Sequence, residues 1–230
     1  MGSTFDVQPQ YPVVLKAKAM VQCKEMVWER SLNSAKGRTT YGQAIDMIEM
    51  GAAFQKALQD GKTGLILPLL AYYSTSRLRR SDNRPKGGSQ SSRSNGYIDC
   101  MSGTANIKLM MDWFSKMTVK KYQNQESDSG EILELEAVYS AMEACFQRVT
   151  GSKEVKIQYN LDIKDLEVFY QDSSKEMIRI PLNQLSDGYR GTISLVADIA
   201  YRMAVLNPQL FGNVCRETGG IVLIDEVDLH

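Results

Sequence analysis

The sequence predicts an α/β fold with a mixed sheet: an antiparallel β part, a helical insertion and a parallel strand tipped by two acids. Three observations predict it. Apolar residues recur with a period of two over 11–32 and again over 155–182. Between and after these stretches the period lengthens to three and four, as in amphipathic helices. Gly220-Ile221-Val222-Leu223-Ile224 is then an unbroken apolar run, which suits a central parallel strand covered on both faces. With 230 residues, 43% of them hydrophobic and 23% charged, the composition is that of a globular chain.

The elements follow in order. Tyr11 to Gln22 alternates Val13, Leu15, Ala17 and Ala19 with Lys16 and Lys18, a half-buried strand, and Glu25 to Leu32 pairs with it. Residues 40–60 form a helix with Ile45, Ile48, Ala52 and Leu58 on its inner face, ended by Asp60-Gly61. Gly64 to Tyr73 is a short apolar run bounded by turn signals, a buried strand in which Pro68 limits hydrogen bonding. Residues 77–99 set Arg77, Arg79, Arg80, Arg84, Lys86 and Arg93 among Ser, Gly, Asn and Pro, the composition of a basic loop.

Two helices come next. Ile107, Met110, Met111, Phe114 and Met117 mark one, and Ile132, Leu135, Val138, Met142, Cys145, Phe146 and Val149 the other. Val155, Ile157 and Tyr159, then Leu166, Val168 and Tyr170, then Met177 to Leu182 read as a small antiparallel sheet. A helix follows to about Leu206, with Ile193, Val196, Ile199, Ala200 and Met203 inward, and Asn207-Pro208 stops it. The organisation is 1–76 for the antiparallel part and its following strand, 77–150 for the basic loop and helical insertion, and 151–230 for the hairpins, last helix and acid-tipped strand.

Composition excludes several classes. Lys plus Arg and Asp plus Glu both number 27, so no basic surplus exists for coating nucleic acid, although 77–93 is locally positive. Cys23, Cys100, Cys145 and Cys215 form no CxxC pair, which argues against a zinc site or disulfide frame and fits a reducing cytoplasm. No apolar run is long enough to cross a membrane, and Met1-Gly2-Ser3-Thr4 carries no signal pattern.

Two motifs carry chemistry. Four aliphatic residues ending in Asp225-Glu226 form a Walker B pattern: a parallel strand ending in a crevice sets Asp225 to hold Mg2+ and Glu226 to orient an attacking water. An acidic loop after a core strand has the same composition. Upstream, Leu185-Ser186-Asp187-Gly188-Tyr189-Arg190 is a Ser-x-Gly turn opening a helix. Capping alone explains a serine there. The alternative is phosphate binding by the Ser186 hydroxyl, the Gly188 amide and the positive helix end. The phosphate loop, Gly-x-x-x-x-Gly-Lys-Ser/Thr, does not occur. Gly61-Lys62-Thr63 follows a helix rather than a strand and has Lys56 where the first glycine belongs, so it reads as a helix C-cap.

Taken together, the turn, the helix, the Asn-Pro stop and the acid-tipped strand resemble ABC-type ATPases of the SMC and RecF head kind, including predicted ATPases of bacterial anti-phage defence. The likeness is strongest over Pro181–His230. Pro68 to Arg77 is similar to the strand before their helical insertion, without the glutamine that follows it there. Asp187 and Tyr189 replace a Gly and the Gln of the usual signature. The resemblance implies a partial P-loop NTPase fold of ABC-ATPase type, with ATP and Mg2+ as cofactors. It implies a metal ligand at Asp225, a catalytic Glu226, and nucleotide contacts from Ser186, Asp187, Gly188 and Arg190. Asp228 and His230 fall in the region after Walker B, where His230 is a candidate catalytic residue.

The resemblance also implies two heads sharing ATP, Ser186 and Gly188 acting on a partner's nucleotide, and ties to DNA or an associated nuclease. It sets the phosphate loop before the strands at 11–32, so the chain is expected to be a piece of a longer head and to turn over little alone. The competing expectations are a non-catalytic assembly module that keeps the fold, and a nucleic-acid-binding module using the basic loop.

Overall fold

The computed structural model describes residues 8–21, 24–75, 92–125, 131–171, 174, 176–226. These divide into two units, Met1–Leu65 and Ile66–His230.

In the first unit β1 (Val13–Val21) and β2 (Lys24–Leu32) form an antiparallel hairpin, with Ala17 opposite Trp28 and Ala19 opposite Met26. One face of the hairpin carries the ion pairs Lys16–Glu29 at 3.0 Å and Lys18–Glu25 at 2.8 Å. Arg30 bonds the Thr40 carbonyl at 3.3 Å and stacks on Tyr41, 4.1 Å from the ring centre. The helix α1 (Ile45–Gln59) follows, but its inner face is not the expected one. Ile45, Ile48 and Ala52 are exposed, and Met47, Met50, Phe54, Ala57 and Leu58 are the half-buried set. The helix is apolar on two opposite faces, so periodicity alone does not choose between them.

Gly61-Lys62-Thr63 closes α1 as expected. The Gly61 amide bonds the Leu58 carbonyl at 3.1 Å and the Lys62 amide the Ala57 carbonyl at 3.0 Å, with Gly61 at φ +70°. That is the paired bonding of a Schellman cap, in which the amides point back at the helix and not at a phosphate.

The second unit holds a strand pair and a three-stranded sheet. β3 (Leu69–Tyr73) is shorter than expected, starting after Pro68, and pairs in parallel with β7 (Gly220–Ile224). β4 (Val155–Asn160), β5 (Asp165–Gln171) and β6 (Met177–Pro181) form the antiparallel sheet. The helices are α2 (Ile107–Gln125), α3 (Leu133–Thr150), α4 (Asp187–Leu206) and the short α5 (Val214–Glu217).

The main core lies between the helices and the three-stranded sheet. Leu135, Val138, Met142 and Phe146 of α3 meet Ile157, Tyr159, Leu166 and Val168, with Ile193, Ala197 and Ala200 of α4 beside them. Phe114 of α2 stacks against Tyr139 and Tyr159 at 5.6 and 6.4 Å. The Tyr139 hydroxyl accepts from the Tyr159 amide at 3.0 Å, and burial pushes its pKa up to about 12. On the sheet's other face Arg179 donates twice to Glu167, at 2.9 and 2.8 Å, and Asn160 adds a third bond at 2.8 Å.

β7 departs from expectation. Among the described residues it pairs with β3 alone, and only one of its faces is covered. Leu195 and Ile199 of α4 pack there against Ala71, Tyr73, Val222 and Ile224. On the opposite face Leu70, Ile221 and Leu223 remain 40%, 42% and 55% exposed. The run is apolar on both sides, as a central strand would be, but the second layer is not among the described residues. At its start, Gly220 passes so close to β3 that an added Cβ would stand 2.1 Å from the Leu69 carbonyl oxygen.

Two stability tests follow. Gly220→Ala must part the two strands, and is expected to cost about 3 kcal/mol in urea unfolding. The Arg179 hydrogen bonds hold Glu167 below its ordinary value of 4.5. A depressed carboxyl stabilises the fold above that value and loses the contribution as pH falls through its folded pKa. The urea midpoint of Arg179→Gln should therefore lie below wild type at pH 7, with the gap closing as pH falls below about 4.5.

Candidate functional site

The two motifs emerge on elements that the sheet and core position. β6 ends at Pro181, and a 3-10 turn, Leu182–Gln184, leads to the Ser-x-Gly turn. Leu182 and Leu185 are buried and pin the chain on the near side of the turn, while Ser186, Asp187 and Tyr189 remain exposed. Asp165 of β5 accepts from the Asn183 amide at 3.3 Å, tying the turn to the sheet.

Ser186 stands at the N-cap of α4 with φ −56° and ψ 153°, but its hydroxyl makes no capping bond. Capping therefore does not account for the serine. The Ser186 carbonyl accepts from the Arg190 amide at 2.9 Å and starts the helix. Gly188, in the first turn, faces open space: an added Cβ would meet no atom within 4 Å. Among the described residues nothing demands a glycine there.

Arg190 donates to Asp187 at 2.6 Å and to the Asn183 carbonyl at 3.3 Å. The two charges neutralise each other and brace the turn. What remains for an anion is the Ser186 hydroxyl, the amides of the first turn and the positive end of a 20-residue helix.

The acids sit at the other motif. Asp225 follows the last residue of β7, and its amide bonds the Tyr73 carbonyl at 2.8 Å, so the tips of the two parallel strands are held together. Asp225 and Glu226 are both exposed, and Glu226 takes φ +48°. Ser74, next after β3, donates its amide and its hydroxyl to the Gly103 carbonyl, at 2.9 and 3.1 Å. The carboxylates thus open at the carboxyl end of parallel strands, the side where ligands bind in α/β sheets. Among the described residues no three acidic, His or Cys side chains converge as a metal cage. Two neighbouring carboxylates nevertheless suit Mg2+, which takes one or two from a protein and the rest of its oxygens from phosphates and water. His230 and Asp228 lie outside the described residues, as do Arg77, Arg79, Arg80, Arg84 and Lys86.

The two motifs lie toward the same end of the layer formed by α4 and the parallel strands. Asn207, at the end of α4, bonds both the amide and the carbonyl of Leu67 just before β3, at 2.8 and 2.9 Å. Asp198, further back along the helix, bonds the Tyr73 hydroxyl at the strand's far end, at 2.7 Å. The helix therefore runs antiparallel to the strands. Its first turn thus lies toward the same end as the strand tips.

Sequence reasoning missed the polar residues that set this geometry. Asp198 and Arg202 are 0% and 1% exposed and pair at 2.7 Å. Arg202 also donates to the Gly96 and Ile98 carbonyls, both at 2.9 Å. Arg93, expected in the basic loop, belongs to a 3-10 turn, Arg93–Tyr97, and donates to the Leu206 carbonyl at 2.6 Å. The visible signal was the four-residue spacing of Asp198 and Arg202 among apolar residues, which an exposed helix pair shares.

The described structure is thus a mixed α/β protein, compatible with a P-loop NTPase-like ATPase. No family profile matches the chain. It is 26% identical over 215 residues to the Retron Vc95 probable ATPase of Vibrio cholerae serotype O1 biovar El Tor, covering 77% of this chain and 41% of that protein. It is 25% identical over 237 residues to the Retron Ec83 probable ATPase of Escherichia coli, covering 79% and 42%. The chain spans about two fifths of the length of these curated relatives. No described helix is long and apolar enough to cross a membrane.

The open space at Gly188 separates a structural role from a binding one. Gly188→Ala should leave the unfolding free energy from urea titration unchanged or raise it, by up to about 1 kcal/mol from helix propensity. A marked loss of stability would return the glycine to a purely structural role.

Proposed function

We propose that this chain is part of an ATPase head of the ABC/SMC type, working in a defence system. In this reading it carries the Walker B carboxylates for one nucleotide and the signature turn for another. The relatives' names, retron probable ATPases, support the ATPase part, and the defence part rests on the motif resemblance. The observation that carries the two-nucleotide part is that Ser186 and Gly188 have no capping or packing role among the described residues. Ser186 is exposed and an added Cβ at Gly188 would meet no atom within 4 Å, which suits a turn that binds a phosphate held by another molecule. A second head facing the first brings the turn of each to the acids of the other.

In the proposed site Asp225 holds Mg2+, directly or through water, and Glu226 orients the attacking water and takes up its proton. The bound ion supplies charge neutralisation across the phosphate oxygens. Ser186, Gly188 and the helix end bind the γ-phosphate of the partner head's ATP, with Asp187 and Arg190 fixing the turn's shape. ATP then favours the paired heads, because only that state makes both sets of contacts, and hydrolysis removes the preference. The phosphate loop is contributed by polypeptide outside this sequence. DNA or an associated nuclease is the proposed recipient of the motion.

The test uses the parent polypeptide that includes a phosphate loop. Glu226→Gln should lower ATP turnover by roughly 10²- to 10⁴-fold, the usual size of a general-base contribution, and leave ATP binding intact. Unchanged turnover would remove Glu226 from the mechanism. Gly188→Ala should bind ATP yet fail to pair heads in size-exclusion chromatography.

A further inference from the structure

Tyr73 makes two bonds that lead to different motifs. Its backbone carbonyl accepts the Asp225 amide at 2.8 Å, fixing the first residue beyond β7. Its hydroxyl donates to Asp198 Oδ2 at 2.7 Å, in the middle of the helix that opens with Ser186. Asp198 is held by Arg202, and Arg202 by the carbonyls of Gly96 and Ile98. The chain of bonds runs from the acid tip, through one tyrosine, into α4 and on to the 3-10 turn beneath it.

This arrangement is poorly explained by stability alone. A buried ion pair commonly stabilises no more than apolar side chains of the same volume would. Here Asp198 Oδ1 is also buried and has no hydrogen-bond partner among the described residues. Such a group costs free energy, whereas an apolar contact between α4 and β3 would not. What directional bonds add is position. An apolar contact between Tyr73 and α4 permits sliding, while the hydroxyl–carboxylate bond fixes the tyrosine along the helix axis. Burial, with Asp198 beside it, raises the phenol pKa far above its usual value, so the hydroxyl remains a donor across the neutral range.

We propose that Tyr73 is a positioning residue that fixes Asp225, and that through Asp198 and Arg202 it makes the acid tip and the signature helix one mechanical body. The assignment of Asp225 to Mg2+ rests on the function proposed above; the tether itself does not. Its consequence is reciprocal. Whatever holds Asp225 in place also restrains α4, and whatever seizes the first turn of α4 restrains Asp225.

Amide hydrogen exchange on this chain, without nucleotide or metal, reads the tether directly. In Tyr73→Phe the ring stays and only the hydroxyl goes, so the fold is retained. Exchange over 220–226 should quicken about tenfold while 155–171 keeps its wild-type rate. Asp198→Asn, which approaches the same bond from the helix, should loosen the same stretch. Tyr139→Phe removes a comparably buried hydroxyl in the same unit and should loosen 155–160 instead. Unchanged exchange over 220–226, or equal quickening throughout Ile66–His230, overturns the proposal. In the ATP-hydrolysing parent, Tyr73→Phe should raise the Mg2+ concentration for half-maximal turnover several-fold, and Asp225→Asn should abolish that difference. If Asp225→Asn leaves the Mg2+ dependence of the wild type intact while the exchange result holds, the metal assignment fails and the tether stands.

Discussion

Asp198 and Arg202 lie one turn apart on α4, deep among apolar neighbours, and three separate segments are fastened to them. Tyr73 brings β3, and the Gly96 and Ile98 carbonyls bring the turn beyond it. Asn207, closing the same helix, grips the chain just before β3 and also bonds Thr218 at 3.0 Å, just before β7. Among the described residues β7 has no neighbour on its far edge, and β3 has there only the short 100–103 segment, bridged at Tyr73 and Gly103. Their position comes chiefly from this helix. The strand tips sit where they do because α4 has polar anchors toward both strand ends and an apolar face, Leu195 and Ile199, that packs on the strands.

That division of labour accounts for the character of the two motif regions. The Ser-x-Gly turn is shaped locally: buried leucines precede it, and the Asp187–Arg190 pair braces it from outside. Its serine and glycine are then left with no internal task. The acid tip is shaped by long-range contacts, since Asp225 owes its place to a strand far away in sequence. In the proposed reading, one half of the chemistry stands on a helix end and the other on a strand tip.

Much of the fold was legible because the period of the apolar residues follows directly from backbone geometry. The β1–β2 hairpin, the three-stranded sheet, α2, α3 and α4 stand where the alternation changed from two to nearly four. The Gly61 cap was legible because a helix end and a phosphate loop differ in what precedes the glycine. Where two answers fitted one pattern, periodicity alone could not choose. The helix α1 is apolar on two faces, and β7 reads the same whether one or both faces are covered. Arg93 looked like its basic neighbours because composition does not record which guanidinium finds a helix end to cap.

The sequence by itself determined the secondary elements, the parallel acid-tipped strand and the residues of both motifs, since each depends on side chains close together in the chain. Only the tertiary structure decided that Ser186 does not cap its own helix, that Gly188 faces open space, and that α4 runs antiparallel to the strand pair. It also decided that Asp198, Arg202, Tyr73 and Asn207 are an internal frame and not surface polar residues. The physical reason is burial. The same Asp-x-x-x-Arg spacing contributes little on a wet helix face, but determines position once water is excluded and each hydrogen-bonding group must find its partner from another segment.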